Sequence, residues 1–86
     1  MTGFPLTLDD ATPLAPLVVT GVQPSDAAPE WFRWLTDIGF VPGEQVMLMR
    51  RGLLGGDPLV VRIGVSTFAL RRAEASCVHV ALQGAA

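Results

Sequence analysis

The sequence predicts a mainly β domain, a small five-stranded barrel with one short helix between its first and second strands. Three observations predict it. Five short runs carry the apolar spacing of strands, one run alone carries helical spacing, and nine glycines and seven prolines punctuate them. A sheet of so few strands removes its exposed edges most simply by closing on itself, with the helix as a lid over the core.

Residues 1–12 read as a flexible opening that contains Leu8-Asp9-Asp10, and Pro13 and Pro16 limit where pairing can begin. Leu17–Val22 is the first strand. Its apolar residues are nearly continuous, so alternation leaves open whether Leu17 and Val19 or Val18 and Val22 point inward. The helix spans residues 29–38, with Trp31, Leu35 and Ile38 on one stripe, Arg33 and Asp37 at i,i+4 spacing, and Trp34 off the stripe. Ser25 or Asp26 is placed to cap it. Gly39 closes it in the left-handed conformation, Phe40 folds back on the last turn, and Pro42-Gly43 turns the chain into the second strand.

That strand, residues 45–51, sets Val46 and Leu48 on one face and Met47 and Met49 on the other. Gly52-Leu53-Leu54-Gly55-Gly56-Asp57-Pro58 is a tight reversal whose two leucines either fold back on the barrel or form a contact patch. Leu59, Val61 and Ile63 alternate with Val60, Arg62 and Gly64 in a third strand, antiparallel to the second. After Gly64-Val65-Ser66, a fourth strand over 67–71 points Phe68 and Leu70 one way. Arg72–Ala75 makes one helical turn, and a last strand sends Val78, Val80 and Leu82 inward and Cys77, His79 and Ala81 outward.

Composition narrows the function. Eighty-six residues make a single domain, 1–86, with its core over about 6–82. Six arginines, no lysine and a net charge of -2 supply no basic field, so no nucleic-acid partner is expected. The longest uncharged stretch, 11–25, is broken by three prolines and is shorter than the roughly 20 residues of a spanning helix, so no membrane insertion is expected either. A lone Cys77 and an opening without the charge and apolar run of a signal peptide point to a reducing, cytoplasmic setting. With one His, one Cys, no Tyr and no Lys, no catalytic constellation assembles, and no Lys-Ser or Lys-Thr follows the glycines to make a phosphate loop. The chain is not expected to be an enzyme.

Three ordered landmarks carry a resemblance: Leu35-x-x-Ile38-Gly39-Phe40-Val41-Pro42-Gly43, then Gly55-Gly56-Asp57-Pro58, then Ala69-Leu70-Arg71-Arg72-x-Glu74-Ala75. Together they resemble the FeoA family, small cytoplasmic proteins of bacterial ferrous iron uptake, over nearly the whole chain. The resemblance implies an SH3-like barrel that binds the membrane transporter FeoB, through its cytoplasmic GTP-binding domain or its membrane part, with no required cofactor. One departure stands out: where the family usually has a Pro-Gly turn before the first strand, this chain has Pro13-Leu14. The alternatives are a stand-alone domain related to the SH3-like part of DtxR-type metal-dependent repressors, or a weak divalent-metal-binding module. A homodimer stays open.

The residues that could carry these functions follow from exposure and charge. Partner contact falls to Leu53 and Leu54 at the hairpin tip, to Trp34, and to the pairs Arg50, Arg51 and Arg71, Arg72, for which the bland reading is a solvated face. A surface-bound divalent metal would use His79, shared with a neighbouring molecule, since His79 and Cys77 alone do not complete a site. An SH3-type Pro-rich ligand groove is not expected, because there is no Tyr and the aromatic residues have helix or core duties.

Overall fold

The computed structural model describes residues 6–84. Six strands, not five, form one antiparallel sheet: β1 (Leu6–Thr7), β2 (Leu17–Val22), β3 (Gln45–Gly52), β4 (Gly56–Ile63), β5 (Ser66–Leu70) and β6 (Val78–Leu82), in the spatial order β1-β6-β2-β3-β4-β5. The helix α1 (Glu30–Asp37) lies between β2 and β3, and the single turn α2 (Arg72–Ala75) between β5 and β6. No described helix is long and apolar enough to cross a membrane.

The extra strand comes from the segment expected to be a flexible opening. Leu6 and Thr7 pair with Val80 and His79 of β6, and Leu8-Asp9-Asp10 then makes a 3-10 turn that buries Leu8 completely. Residues 1–5 lie outside the described part. A second expectation is corrected as well: among the described residues the hydrogen-bonded ladder does not close, because β1 and β5 are its two ends and are not paired with each other. Over the described residues the sheet is an open antiparallel ladder and not a closed barrel.

Alternation accounts for the core. Val46 and Leu48 of β3, Leu59, Val61 and Ile63 of β4, and Leu70 of β5 are buried, while Val60 and Arg62 stand on the other face. The ambiguity in β2 resolves in favour of Leu17 and Val19, both buried. Two residues of the last segment depart from expectation. Cys77 precedes β6 and is buried in the core, since the helical turn ahead of it breaks the strand's alternation; Leu82 is exposed, since it pairs with Leu17 at the very end of β2, where the sheet offers it no cover.

The helix begins at Pro29 without a side-chain cap from Ser25 or Asp26. Proline's fixed φ and missing N–H suit a helix start on their own. Leu35 is fully buried, with Trp31 and Ile38 packed against the core beside it. At the other end, Phe40 N–H donates to Leu35 O at 3.0 Å and Gly39 N–H to Thr36 O at 3.1 Å, with Gly39 at φ 121. This is a Schellman closure, and it drives Phe40 into the core, where it is completely buried. The following turn docks on β2 through Gly43 N–H to Val19 O and Val19 N–H to Glu44 O, both 2.9 Å.

The departure at Pro13-Leu14 has a structural consequence. Leu14 is the one described non-glycine residue with positive φ, at 70, in a turn closed by Ala15 N–H donating to Thr12 O at 3.2 Å. Proline at the second position followed by positive φ is the geometry of a type II turn, which favours glycine at the third. What holds the leucine there is its own N–H, which donates to Leu48 O of β3 at 2.7 Å. Its side chain is largely exposed, so little packing compensates the strain.

Substitutions at the two positive-φ positions should therefore act with opposite signs. Leu14→Gly should raise stability by roughly 0.5–1 kcal/mol, the relieved strain exceeding the added unfolded-chain entropy. Gly39→Ala should lower it by on the order of 1 kcal/mol or more, although its Cβ would meet only Ile63 Cγ1 at an ordinary 3.7 Å. Urea denaturation of the three proteins checks both signs.

Candidate functional site

One ion pair spans the joint of the open sheet. Asp9 follows β1, Arg72 follows β5, and their side chains meet with Nε to Oδ1 at 2.9 Å and Nη2 to Oδ2 at 3.4 Å. Thus the residues just past the two unpaired edges of the sheet are tied by an ion pair. Arg72 also donates through Nη1 to Gly55 O at 3.1 Å, and its backbone N–H donates to Asp57 Oδ1 at 3.0 Å, which fastens α2 to the β3–β4 hairpin. By accepting its hydrogen bond, and then by its charge, Asp9 raises the Arg72 guanidinium above its usual value.

Arg51 reaches the same carboxylate because the strand is irregular. Leu48 pairs with Val61 but Arg50 pairs with Val60, so Met49 is an extra residue in β3. Without the bulge Arg51 would share the face of Met47; with it, Arg51 stands opposite Leu59 on the inner side. There Nη2 donates to Asp9 O at 2.6 Å and Ala11 O at 3.1 Å, and Nη1 lies 3.7 Å from Asp9 Oδ1. The side chains of Asp9, Arg51 and Arg72 are 18%, 30% and 50% exposed, so water screens this cluster only in part.

Sequence reasoning placed all four hairpin-flanking arginines together as partner candidates. The structure separates them: Arg51 and Arg72 are engaged within the chain, whereas Arg50 and Arg71 are exposed and have no carboxylate within ion-pair distance among the described residues. Asp9 was missed as a functional position. One carboxylate in a two-residue strand and its following turn carries no periodicity, and Leu8-Asp9-Asp10 offered only its composition.

The hairpin tip protrudes. Leu53 and Leu54 are 99% and 85% exposed, so they do not fold back on the sheet. The ladder persists to the Gly52↔Gly56 pair beneath them, and Asp57 N–H donates to Leu54 O at 3.1 Å. Gly52 is required there because a Cβ would collide with the Asp57 carbonyl. Beside the tip an open groove of about 400 Å³ is lined by Leu54, Asp57, Pro58 and Arg71. Trp34 and Phe32 are exposed on α1.

His79 is half-buried on β6, opposite Thr7 and Gly21, next to a depression of about 120 Å³ lined by Thr20, Gly21, Val22, Gln23 and His79 itself. Cys77 does not share its surface: its Sγ donates to Ala73 O at 3.6 Å from within the core, and burial pushes the thiol's pKa up. Among the described residues no group of three or more His, Cys, Asp or Glu is arranged to hold a metal ion.

The Asp9 joint makes a graded expectation. Arg51→Ala, which leaves two backbone carbonyls without their donor, should cost about 1–3 kcal/mol of stability. Asp9→Asn should cost less, and Arg72→Ala should add to it less than it costs alone, because both weaken the same pair while the bond to Gly55 O is lost only with Arg72. The Asp9→Asn effect should shrink at about 1 M NaCl, where charges are screened beyond about 3 Å. Urea midpoints of the single and double variants at low and high salt measure all of this.

Comparison with known proteins agrees with this architecture. The FeoA domain family model matches residues 6–82. A Stenotrophomonas maltophilia FeoA, crystallised with zinc and described as a prokaryotic SH3 domain protein and a candidate activating factor of ferrous iron transport, is 39% identical, with 88% of this chain and 89% of that one covered at a TM-score of 0.80. The solution structure of iron(II) transport protein A from Clostridium thermocellum is 32% identical at a TM-score of 0.79, covering 92% of this chain but only 46% of that one. A manganese-dependent transcriptional repressor shares the fold at 22% identity and a TM-score of 0.76, with 95% of this chain and 44% of that one covered. No curated protein sequence matches the chain. With a family model spanning nearly its whole length and a relative 39% identical over most of both chains, this protein belongs to the FeoA family, associated with ferrous iron transport.

Proposed function

We propose that this protein is a non-enzymatic, cytoplasmic accessory of ferrous iron uptake that docks on the FeoB transporter. Family membership supplies the setting. The observation that carries the docking reading is the leucine pair at the hairpin tip, Leu53 and Leu54, 99% and 85% exposed on a backbone that the β3–β4 ladder holds in place. Water-facing leucines on an ordered tip contribute nothing to the fold, and the groove of Leu54, Asp57, Pro58 and Arg71 beside them extends the apolar surface toward a cation and a carboxylate. Arg50 and Trp34 are further contact candidates, while Arg51 and Arg72 act by holding the tip's base in place.

Leu53→Asp with Leu54→Asp should reduce capture of FeoB from detergent-solubilised membranes at least about tenfold, the equivalent of roughly 1.4 kcal/mol, and should slow ferrous uptake in cells. The melting temperature should stay unchanged, since both side chains lie outside the core. Undiminished capture and uptake by the folded variant would sink the docking reading.

One observation favours a second role, a surface-bound divalent cation: the S. maltophilia relative was crystallised with zinc. In this chain His79 would supply a ligand, with the others coming from a neighbouring molecule. A zinc titration followed by NMR should shift the His79 ring resonances, and His79→Ala should abolish the binding; binding that survives the substitution removes His79 from the site. The repressor-like alternative rests on fold likeness alone.

A further inference from the structure

The sheet has two ends, and they differ in how they are protected. β1 (Leu6–Thr7) is described over two residues, whereas β5 presents an edge of five uncharged residues, Ser66-Thr67-Phe68-Ala69-Leu70, with no proline, lysine or bulge to discourage another strand. The hairpin geometry identifies which groups are free. Gly64-Val65, with Gly64 at φ 58, is a two-residue turn, so its closing pair Ile63↔Ser66 is hydrogen-bonded and pairs alternate from there. Phe68 and Leu70 therefore bond toward β4. The N–H and C=O of Thr67 and Ala69 point away from it, both residues are exposed, and among the described residues β5 has no other neighbour in the sheet.

The face beside that edge is basic. Arg62 pairs with Thr67 on the outer side of β4–β5, and Arg50 pairs with Val60 on the same side of β3–β4. Arg71, extended at φ -68 and ψ 152, continues the alternation of Thr67 and Ala69. None of the three has a carboxylate within ion-pair distance among the described residues. β3, β5 and the part of β4 after Asp57 contain no acidic residue. Glu44 lies by Gly64 at the turn, and Glu74 is turned to the backbone N–H of Arg71 at 2.8 Å. In a chain of net charge -2, three arginines that form no ion pair among the described residues stand beside an open strand edge, with Asp57 the one acid sharing Arg71's groove, and they call for a negative occupant.

We propose that β5 receives an acidic, extended polypeptide segment of a protein partner, which adds as a seventh strand on the free N–H and C=O groups of Thr67 and Ala69 and sets carboxylates against Arg62, Arg71 and Arg50. The arrangement is strand addition: backbone bonds provide affinity, and alternate side chains provide selection. A second copy of this chain fits less well, because joining two β5 edges would place both sets of arginines on one continuous face with no acid between them. The inference deepens the docking reading above, on which it rests for there being a protein partner.

The test uses the full chain and two capped peptides, acetyl-Val-Glu-Val-Glu-Val-Glu-amide and its lysine counterpart, followed by amide NMR and hydrogen exchange. The glutamate peptide should shift the Thr67 and Ala69 amides saturably and slow their exchange, and the lysine peptide should leave them unmoved. Arg62→Glu should weaken binding by roughly tenfold, and so should about 1 M NaCl. Thr67→Pro, which removes an N–H outside the β4 ladder, should weaken it at unchanged charge. Absence of saturation at millimolar peptide, equal response to both peptides, shifts confined to residues away from β5, or β5 shifts produced by raising the protein concentration alone would each overturn the proposal. No transporter is present in this experiment, so its failure leaves the leucine-tip reading standing, and loss of that reading leaves this result intact.

Discussion

The meeting of Arg51 and Arg72 at Asp9 is the constraint that ties the described ends of the sheet to each other. A six-stranded ladder that does not close has to be held in its curl by something other than backbone pairing, and here side chains from three separate segments meet to do it. Arg72 brings the end of β5, Arg51 brings the end of β3, and Asp9 brings the turn after β1. Because Arg72 also binds Gly55 O and Asp57 receives its backbone N–H, the same cluster fixes the base of the protruding hairpin. Fold closure and presentation of the tip are thus one set of contacts. Partial exposure keeps each bond modest, but their convergence on one residue couples elements far apart in sequence.

Much of the architecture is readable from local chemistry. The helix stop at Gly39-Phe40, the alternation of Leu59, Val61 and Ile63, and the hairpin glycines each depend on residues within a few positions of one another, where sterics and periodicity act directly. The failures share a different origin. Leu6-Thr7 followed at once by a 3-10 turn shows no period in the sequence, so the strand and Asp9 behind it stay invisible. The Met49 bulge reverses the side of Arg51 by inserting one residue, and nothing in Met-Leu-Met-Arg-Arg announces where an extra residue sits. Cys77 and Leu82 fail at opposite ends of one strand, where a preceding helical turn or a lack of covering layer overrides alternation.

The candidate site was legible as a list and not as a surface. Exposed leucines at a glycine-rich tip can be suspected from sequence, and they are indeed the most solvent-exposed large apolar residues described, with Val65. Which arginines are free cannot be suspected, since Arg50 and Arg51 are neighbours in sequence with opposite fates. In the sequence Arg62 is only the polar member of an alternating strand. It gains interest from what surrounds it, an edge with unpaired backbone and neighbouring arginines that form no ion pair among the described residues.

The ordered hairpin has a consequence for recognition. A contact patch on a loose loop must be immobilised whenever it meets a partner, and that entropic cost subtracts from affinity each time. Here the Gly52↔Gly56 pair, the Leu54↔Asp57 bridge and the arginine beneath them fix the backbone under Leu53 and Leu54 during folding. The tip therefore behaves as a rigid peg. A partner would need a socket of matching shape, and errors of fit could not be relieved by the loop adjusting around it.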